Sequence, residues 1–318
     1  MNRIIYSILI AAVTGIALTP IIIPILKILK FGQNVRQDGP RSHLKKTGTP
    51  TMGGIIILIS LAAATLFINK SFDGIYAVAM ITTMGYGLVG FFDDGIKIIK
   101  RRSLGLRAYQ KIILQIILAF ILAYFAYSNP SIGSKLIIPF TKNTVDLGIW
   151  YIPFIMFIIV GTTNSVNLTD GLDGLASSVT MIVAIFFIFV CYAFNMDELA
   201  IFSAGIAGAC LGFLKCNSYP AKVFMGDTGS LALGGAISAL AVLTGLTFYL
   251  PIIGAIYVAE TLSDIIQIVS FKLTGKRVFK MAPLHHHFEL SGWHESKVVA
   301  VFSIITALLC LVGLLGLY

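Results

Sequence analysis

The chain has 318 residues, of which 57% are hydrophobic and only 12% charged, and its mean hydropathy is +0.92. Soluble domains carry about 25% charged residues, so this composition excludes a water-soluble globular protein and identifies an integral membrane protein. The formal net charge of +9 follows membrane topology and attraction to anionic lipid, and calls for no nucleic-acid partner.

A helix needs about 20 residues to cross a hydrocarbon core of ~30 Å. Apolar runs of that order lie near residues 4–26, 52–68, 74–92, 108–128, 149–163, 175–194, 199–214, 231–246, 250–271 and 298–317. They predict an all-α polytopic membrane protein, a single domain over 1–318 with about ten transmembrane helices, because barrel strands would be short and alternating. The first run passes through Pro20 and Pro24 without a small-residue cleavage site and reads as a retained span. An even number of spans puts both termini on one side. Of the 23 Lys and Arg residues, all but Arg3, Lys70, Lys135 and Lys142 fall on the opposite side, which is therefore cytoplasmic, leaving both termini external. Between the fourth and fifth runs, SKLIIPFTKNTVDLGIW flanks the turn-forming Thr141-Lys142-Asn143 with two β-prone stretches and predicts a small external β-hairpin. Cys191, Cys210, Cys216 and Cys310 show no metal-binding spacing and are assigned neither metal nor disulfide.

The five cytoplasmic loops combine Gly with Asp, His or Lys beyond what turns and positive charge require. In the first, Arg36, Arg41, His43, Lys45 and Lys46 satisfy topology, while the run from Gly48 to Gly54 brings backbone close to something at the membrane edge. In the second, Asp93 and Asp94 follow an apolar run and precede Gly95 and Lys97. A helix stop at Gly95, with the carboxylate hydrated or paired to Lys97, explains one such aspartate. Two adjacent carboxylates repel, and the dipole of the expected helix C-terminus disfavours both. A bound cation relieves these penalties, and Mg2+ takes one or two carboxylates together with waters and substrate phosphates. In the third loop, Asn164, Asn167, Asp170 and Asp173 recur every third residue, which on a helical turn lines one face with oxygen-bearing side chains. Capping of the next helix needs only one of them.

In the fourth loop, KVFMGDTGS sets Asp227 between glycines at the opening of a span, where backbone can approach a phosphate. No Walker A pattern follows, and a turn with Asp227 as N-cap also explains the stretch taken alone. In the fifth, His285, His286 and His287 cannot share one helix face, but from a loop two can reach a common point. With no Cys and only Glu289 and Glu295 nearby, they read as facing a phosphate or orienting a carboxylate; a zinc site and a pH sensor are the other readings.

Lys111 stands about a turn inside the fourth run, and Glu260, Asp264 and Gln267 fall on one face of the ninth. A cation-coupled transporter uses such residues but holds its substrate near the bilayer midplane. Here the chemistry gathers at cytoplasmic helix ends, which suits Mg2+-dependent transfer from a soluble, phosphate-bearing donor to a lipid acceptor.

The loops HLKKTGTPTMGG, GFFDDGIK, NSVNLTDGLDGLA, VFMGDTGSLALGG and PLHHHFE resemble, in order and across essentially the whole chain, the polyprenyl-phosphate N-acetylhexosamine-1-phosphate transferases. The first and last loops are similar to the branch that uses a muramyl-pentapeptide donor. The resemblance implies a catalytic domain of ten spans with external termini, a cytoplasmic cleft in the bacterial inner membrane, a homodimer and a bent ninth helix bordering a lipid groove. It implies the reaction of UDP-MurNAc-pentapeptide with undecaprenyl phosphate to give lipid I and UMP, with Mg2+ as cofactor. By the same resemblance Asp227 is a magnesium ligand, Asp93 and Asp94 are a catalytic pair near the acceptor, and Asn164, Asp170 and Asp173 shape the nucleotide site with Lys46. Phe224 stacks on uracil, Lys111 meets phosphate, His285, His286 and His287 line the donor site with His286 among the catalytic residues, and Gln267 contacts substrate from the ninth helix. Direct attack of the lipid phosphate on the donor is the expected mechanism, with Asp93 as base where one is needed. A two-step route through Asp227 or Asp94 is its rival, and N-acetylglucosamine-1-phosphate transfer is the alternative activity.

Overall fold

A computed structural model describes residues 1–29, 46, 48–69, 74–100, 105–141 and 143–317. Arg36, Arg41, His43, Lys45, Lys70 and Lys142 lie outside the described residues. Among the described residues, twelve α-helices and one pair of strands follow in order: α1 Asn2–Ile28, α2 Gly54–Ile68, α3 Gly74–Ile99, α4 Ala108–Ser128, β1 Lys135–Ile137, β2 Thr144–Asp146, α5 Tyr151–Thr169, α6 Leu175–Ala193, α7 Asp197–Asn217, α8 Gly226–Leu243, α9 Leu250–Ile253, α10 Ala255–Thr274, α11 Leu284–Leu290 and α12 Glu295–Leu315.

Each apolar run of the sequence falls on a helix. Among the described residues, eight helices are long and apolar enough to cross a membrane. The chain breaks again at Gly254, where the short α9 and its preceding turn meet α10 at 80°, so that this pair forms one bent apolar unit. The remaining run, α2, is a shorter apolar helix of 15 residues.

The helices differ in what surrounds them. The apolar windows of α7 and α8 are 83% and 89% buried, against 22% for α1 and 28% for α4 and α12, so α7 and α8 form the centre and the others turn broad apolar faces outward. Small residues make this centre possible, because in a membrane close backbone contact replaces the hydrophobic driving force. Gly208 and Gly212 of α7 lie directly on the backbone of α1 at Ile8 and Ala12, and Gly90 of α3 lies on the carbonyl of Asp227 at the start of α8. The α8 helix packs chiefly on α3 and α5, and α7 on α1, α6 and α2.

The predicted hairpin is present. Its strands pair antiparallel, with Leu136 opposite Val145, and Pro139 ends the first strand earlier than the β-prone run suggests. Ile137 N–H donates to Gly245 O and Phe140 N–H to Gly316 O, which seats the hairpin on the C-terminal ends of α8 and α12.

Several helix ends differ from expectation. The α3 helix continues through Gly95 to Ile99, so Asp93 and Asp94 stand inside it; Lys97 lies one turn on and pairs with both, removing the need to stop. The α8 helix starts at Gly226 with Met225 as N-cap, which places Asp227 in its first turn instead of at its cap. The three histidines sit on a short helix, α11, where an irregular loop was expected.

A methyl group at Gly90 would overlap the Asp227 carbonyl. Gly90→Ala is expected to cost about 1–3 kcal/mol through overpacking, read as a lower thermal midpoint of the purified protein in detergent.

Candidate active site

Three carboxylates meet at the end of the bundle opposite the hairpin. Asp93 and Asp94 are buried on α3, Asp227 enters from the first turn of α8, and one oxygen from each lies within 4.8 Å of the others. The Lys97 ammonium touches all three, at 2.7 Å from Asp93, 3.4 Å from Asp94 and 3.0 Å from Asp227. Lys111, from the first turn of α4, adds a second ammonium 2.8 Å from Asp227.

Neutral donors fix the remaining carboxylate oxygens. The Thr228 N–H and hydroxyl donate to Asp94 Oδ2 at 2.9 and 2.8 Å, so the α8 N-terminus holds this carboxylate as helix starts hold anions. The Leu106 N–H donates to Asp93 Oδ1 at 2.9 Å, and Asn167 Nδ2 to Asp227 Oδ1 at 3.0 Å. Gly226 has φ of +72°, and a Cβ there would strike Asp94, so glycine is required on both counts.

Three hard oxygen donors around a cation suit a divalent metal of the Mg2+ type. The Lys97 ammonium already sits as a monovalent cation against all three, and this donor set fits a metal there.

The Asn164 to Asp173 series does not present one face, because α5 ends at Thr169. Asn164 pairs with Gln115 of α4, donating at 2.6 Å, while Asn167 reaches Asp227 and Ser230. Asp170 follows the helix end and lies in the field of the cluster. Loss of water, then the charges of Asp227, Asp94 and Asp173, push its carboxyl well above the usual range, with Lys97 opposing.

Asp173 is buried and turned elsewhere, to Lys46. The Lys46 ammonium lies 2.7 Å from both Asp173 and Glu295. Burial would lower its pKa, but the hydrogen bonds and charges of these two carboxylates outweigh that and raise it. Beside this trio opens a cavity of roughly 550 Å3, walled by Tyr219, Trp293 and His294, within the size range of small-molecule sites. Phe224 is half-buried in the approach to α8, its backbone N–H on Pro50 O and its carbonyl accepting from Gly53 N–H, both at 2.8 Å.

The histidines point in different directions. His285 is buried; its Nδ1 lies 3.0 Å from Glu260 Oε2 of α10, while its Nε2 has no hydrogen-bond partner among the described residues. Its ring packs directly on Gly171, where a Cβ would overlap it. His286 Nδ1 is 2.9 Å from Glu289, and His287 Nδ1 accepts from the Lys280 N–H at 3.1 Å. Gln267 spends both ends of its amide on backbone, accepting from Val278 and Phe279 N–H and donating to Phe279 O, so it braces the segment ahead of α11 away from the carboxylates.

The sequence offers Lys97 as a partner of the aspartates only under the helix-stop reading, and it gives Glu295 no partner; the structure keeps the Lys97 pairing without the stop. The i+3 and i+4 spacing from the aspartate pair is the signal that marks Lys97. No local pattern marks Glu295, whose partner Lys46 is 249 positions away.

A family profile described as Glycosyl transferase family 4 matches residues 76–245, the stretch that carries the carboxylates, Lys97, Lys111 and the third loop. Over its full length the chain is 55% identical to the phospho-N-acetylmuramoyl-pentapeptide-transferase of Clostridium kluyveri, covering 100% of both. It is 53% identical to the enzyme of that name in Clostridium novyi, over 100% of this chain and 98% of the relative. For Clostridioides difficile the figures are 53%, 98% and 97%.

Replacing Lys97 by Met leaves three carboxylates around one ammonium; the variant is expected to melt earlier than wild type in EDTA and to regain more of its midpoint on adding millimolar Mg2+. Asp170 gives a pH signature. Its raised folded value means that the folded state binds more protons than the unfolded chain above the ordinary carboxylate range, so its contribution to stability falls as pH rises through that window. Asp170→Asn removes this loss, and in metal-free buffer its midpoint is expected to exceed that of wild type near neutrality and to converge with it in acid.

Proposed function

The chain belongs to glycosyl transferase family 4 and is a phosphoglycosyl transferase, and from that premise we propose that it transfers phospho-MurNAc-pentapeptide from UDP-MurNAc-pentapeptide to undecaprenyl phosphate. The products are lipid I and UMP. End-to-end similarity to enzymes named phospho-N-acetylmuramoyl-pentapeptide-transferase supports this reading. The observation that carries it in the molecule itself is the gathering of Asp93, Asp94 and Asp227 around Lys97, with Lys111 alongside.

The reaction forms a bond between a lipid phosphate oxygen and the donor's β-phosphorus. It breaks the bridge from that phosphorus to the α-phosphate, and UMP leaves with the electron pair. Asp227, with Asp93 and Asp94, would hold Mg2+, which when bound supplies positive charge to the diphosphate. Lys97 and Lys111 balance the phosphates from the protein side. Asp93 is the base where one is needed; a lipid phosphate has a second pKa near 6, so at neutral pH it carries most of its second charge and proton removal contributes little.

Direct attack agrees with the hydrogen bonding. Asp94 gives one oxygen to both donors of Thr228 and faces Lys97 with the other, and Asp227 is held by Asn167, Lys97 and Lys111. Neither is left as a free nucleophile, whereas the lipid phosphate arrives charged. Lys46, Asp173, Asp170, Asn164 and Phe224 form the nucleotide side of the site. His286 and Lys111 meet the phosphates, while His285, His287 and Gln267 shape the donor end. The excess of Lys and Arg at this end of the bundle supports a site facing the cytoplasm in the bacterial inner membrane, with both termini outside. The domain 1–318 acts as one catalytic unit, and a homodimer belongs to the same reading.

The test is UMP release by the purified protein with undecaprenyl phosphate, offering UDP-MurNAc-pentapeptide and UDP-N-acetylglucosamine separately. Mg2+-dependent release from the muramyl donor alone is expected, with Asp227→Asn slower by about a hundredfold or more. Release from the N-acetylglucosamine donor alone, or from neither, overturns the proposal. UMP exchange into donor without lipid is expected to be absent, and its presence would establish a covalent intermediate.

A further inference from the structure

Glu295 opens α12 and lies far in sequence from the groups it touches. Its carboxylate is buried, and a single oxygen, Oε1, accepts from the Lys46 ammonium at 2.7 Å and from the Asp173 backbone N–H at 2.6 Å. Lys46 also donates to Asp173 Oδ1 at 2.7 Å, and the other Asp173 oxygen accepts from Ala221 N–H at 2.9 Å. The contacts close a ring: Glu295 to Lys46, Lys46 to the Asp173 side chain, and the Asp173 backbone back to Glu295.

The position of Glu295 does not depend on Lys46. His294 caps α12 by accepting from Ser296 N–H and packs edge-on against Tyr219. Trp293, one residue earlier, packs on Phe288 of α11 with ring centroids 4.8 Å apart, and the Lys297 ammonium lies 4.3 Å from the centre of its ring. A fixed carboxylate therefore holds a long, rotamer-rich lysine and the turn that carries Asp173. Without it the Lys46 charge answers to Asp173 alone and the buried Asp173 N–H loses its acceptor.

We infer that Glu295 is a positioning residue for donor recognition, holding Lys46 and the 170–174 turn in the arrangement that receives the nucleotide end of the donor. The inference rests on the proposed function for the assignment of Lys46 and Asp173 to that end. Because Glu295 makes none of its contacts with Asp93, Asp94 or Asp227, it governs donor affinity and leaves the phosphoryl step and the lipid site unchanged.

The experiment compares Glu295→Gln, Glu295→Asp, Lys46→Ala and the Glu295→Gln/Lys46→Ala double variant as full-length protein in detergent. Thermal midpoint, steady-state UMP release and calorimetric binding of UMP are measured for each. Glu295→Gln is expected to raise the KM for UDP-MurNAc-pentapeptide and the Kd for UMP by about tenfold each, with kcat and the KM for undecaprenyl phosphate within about twofold. Glu295→Asp, which keeps the charge, should recover part of the loss. In the Lys46→Ala background Glu295→Gln should add little, because the two act as one unit. Unchanged KM and Kd, a fall confined to kcat, a lowered midpoint with normal KM and Kd, or full additivity in the double variant would each overturn the inference. Wild-type protein that releases no UMP from the muramyl donor would instead remove the functional reading beneath it.

Discussion

Charge compensation around Lys97 is the interaction on which the site end of the protein depends. At an effective dielectric of about 20, two like charges 4 Å apart repel by roughly 4 kcal/mol, and three carboxylates within 4.8 Å of one another multiply that cost. One ammonium in contact with all three offsets it. The backbone has to cooperate: α3 must lie flush on the start of α8 at Gly90, and the chain must turn tightly at Gly226 without a side chain striking Asp94. The small residues of the buried centre and the charges at its end are therefore two parts of one packing arrangement.

A single turn then connects two electrostatic centres. Residues 170–174 leave the end of α5 with Asp170 in the field of the carboxylate cluster and Asp173 bonded to Lys46. Between them Gly171 lies against the buried His285, which Glu260 anchors to the bent helix α10. The carboxylate cluster and the Lys46 pair are thus joined by a segment five residues long. The two aspartates of the turn thus face different centres, and Gly171 between them leaves room for the His285 ring.

Much of this was legible because membranes make sequence patterns simple. Every apolar run became a helix, and acids such as Asp93, Asp94 and Asp227 stand out where charge is expensive. The hairpin declared itself through two β-prone stretches around a turn. Helix ends were less legible, since Gly95 breaks a helix only when nothing nearby favours continuing, and Lys97 does. The Asn164 to Asp173 spacing misled because periodicity carries no information about where a helix stops; two of those four residues lie beyond α5. The pairing of Lys97 with Asp93 and Asp94 was legible from its spacing, but its contact with Asp227, 130 positions away, was not. The partners of Glu295 and Glu260 were hidden by distance, since Lys46, Asp173 and His285 come from remote parts of the chain and are brought to them by folding alone.

The lengths of α2 and α3 set the depth of the site. Arg3, at the start of α1, donates to the carbonyl of Ile68 at the far end of α2, so these two helices begin level there. Yet α2 has 15 residues where α1 has 27, and it stops at Gly54, against the first turn of α8. On α3 the aspartate pair lies five residues short of the helix end at Ile99, about 8 Å at 1.5 Å per residue. The carboxylates are therefore set back from the end of α3, against the same first turn of α8 on which α2 stops.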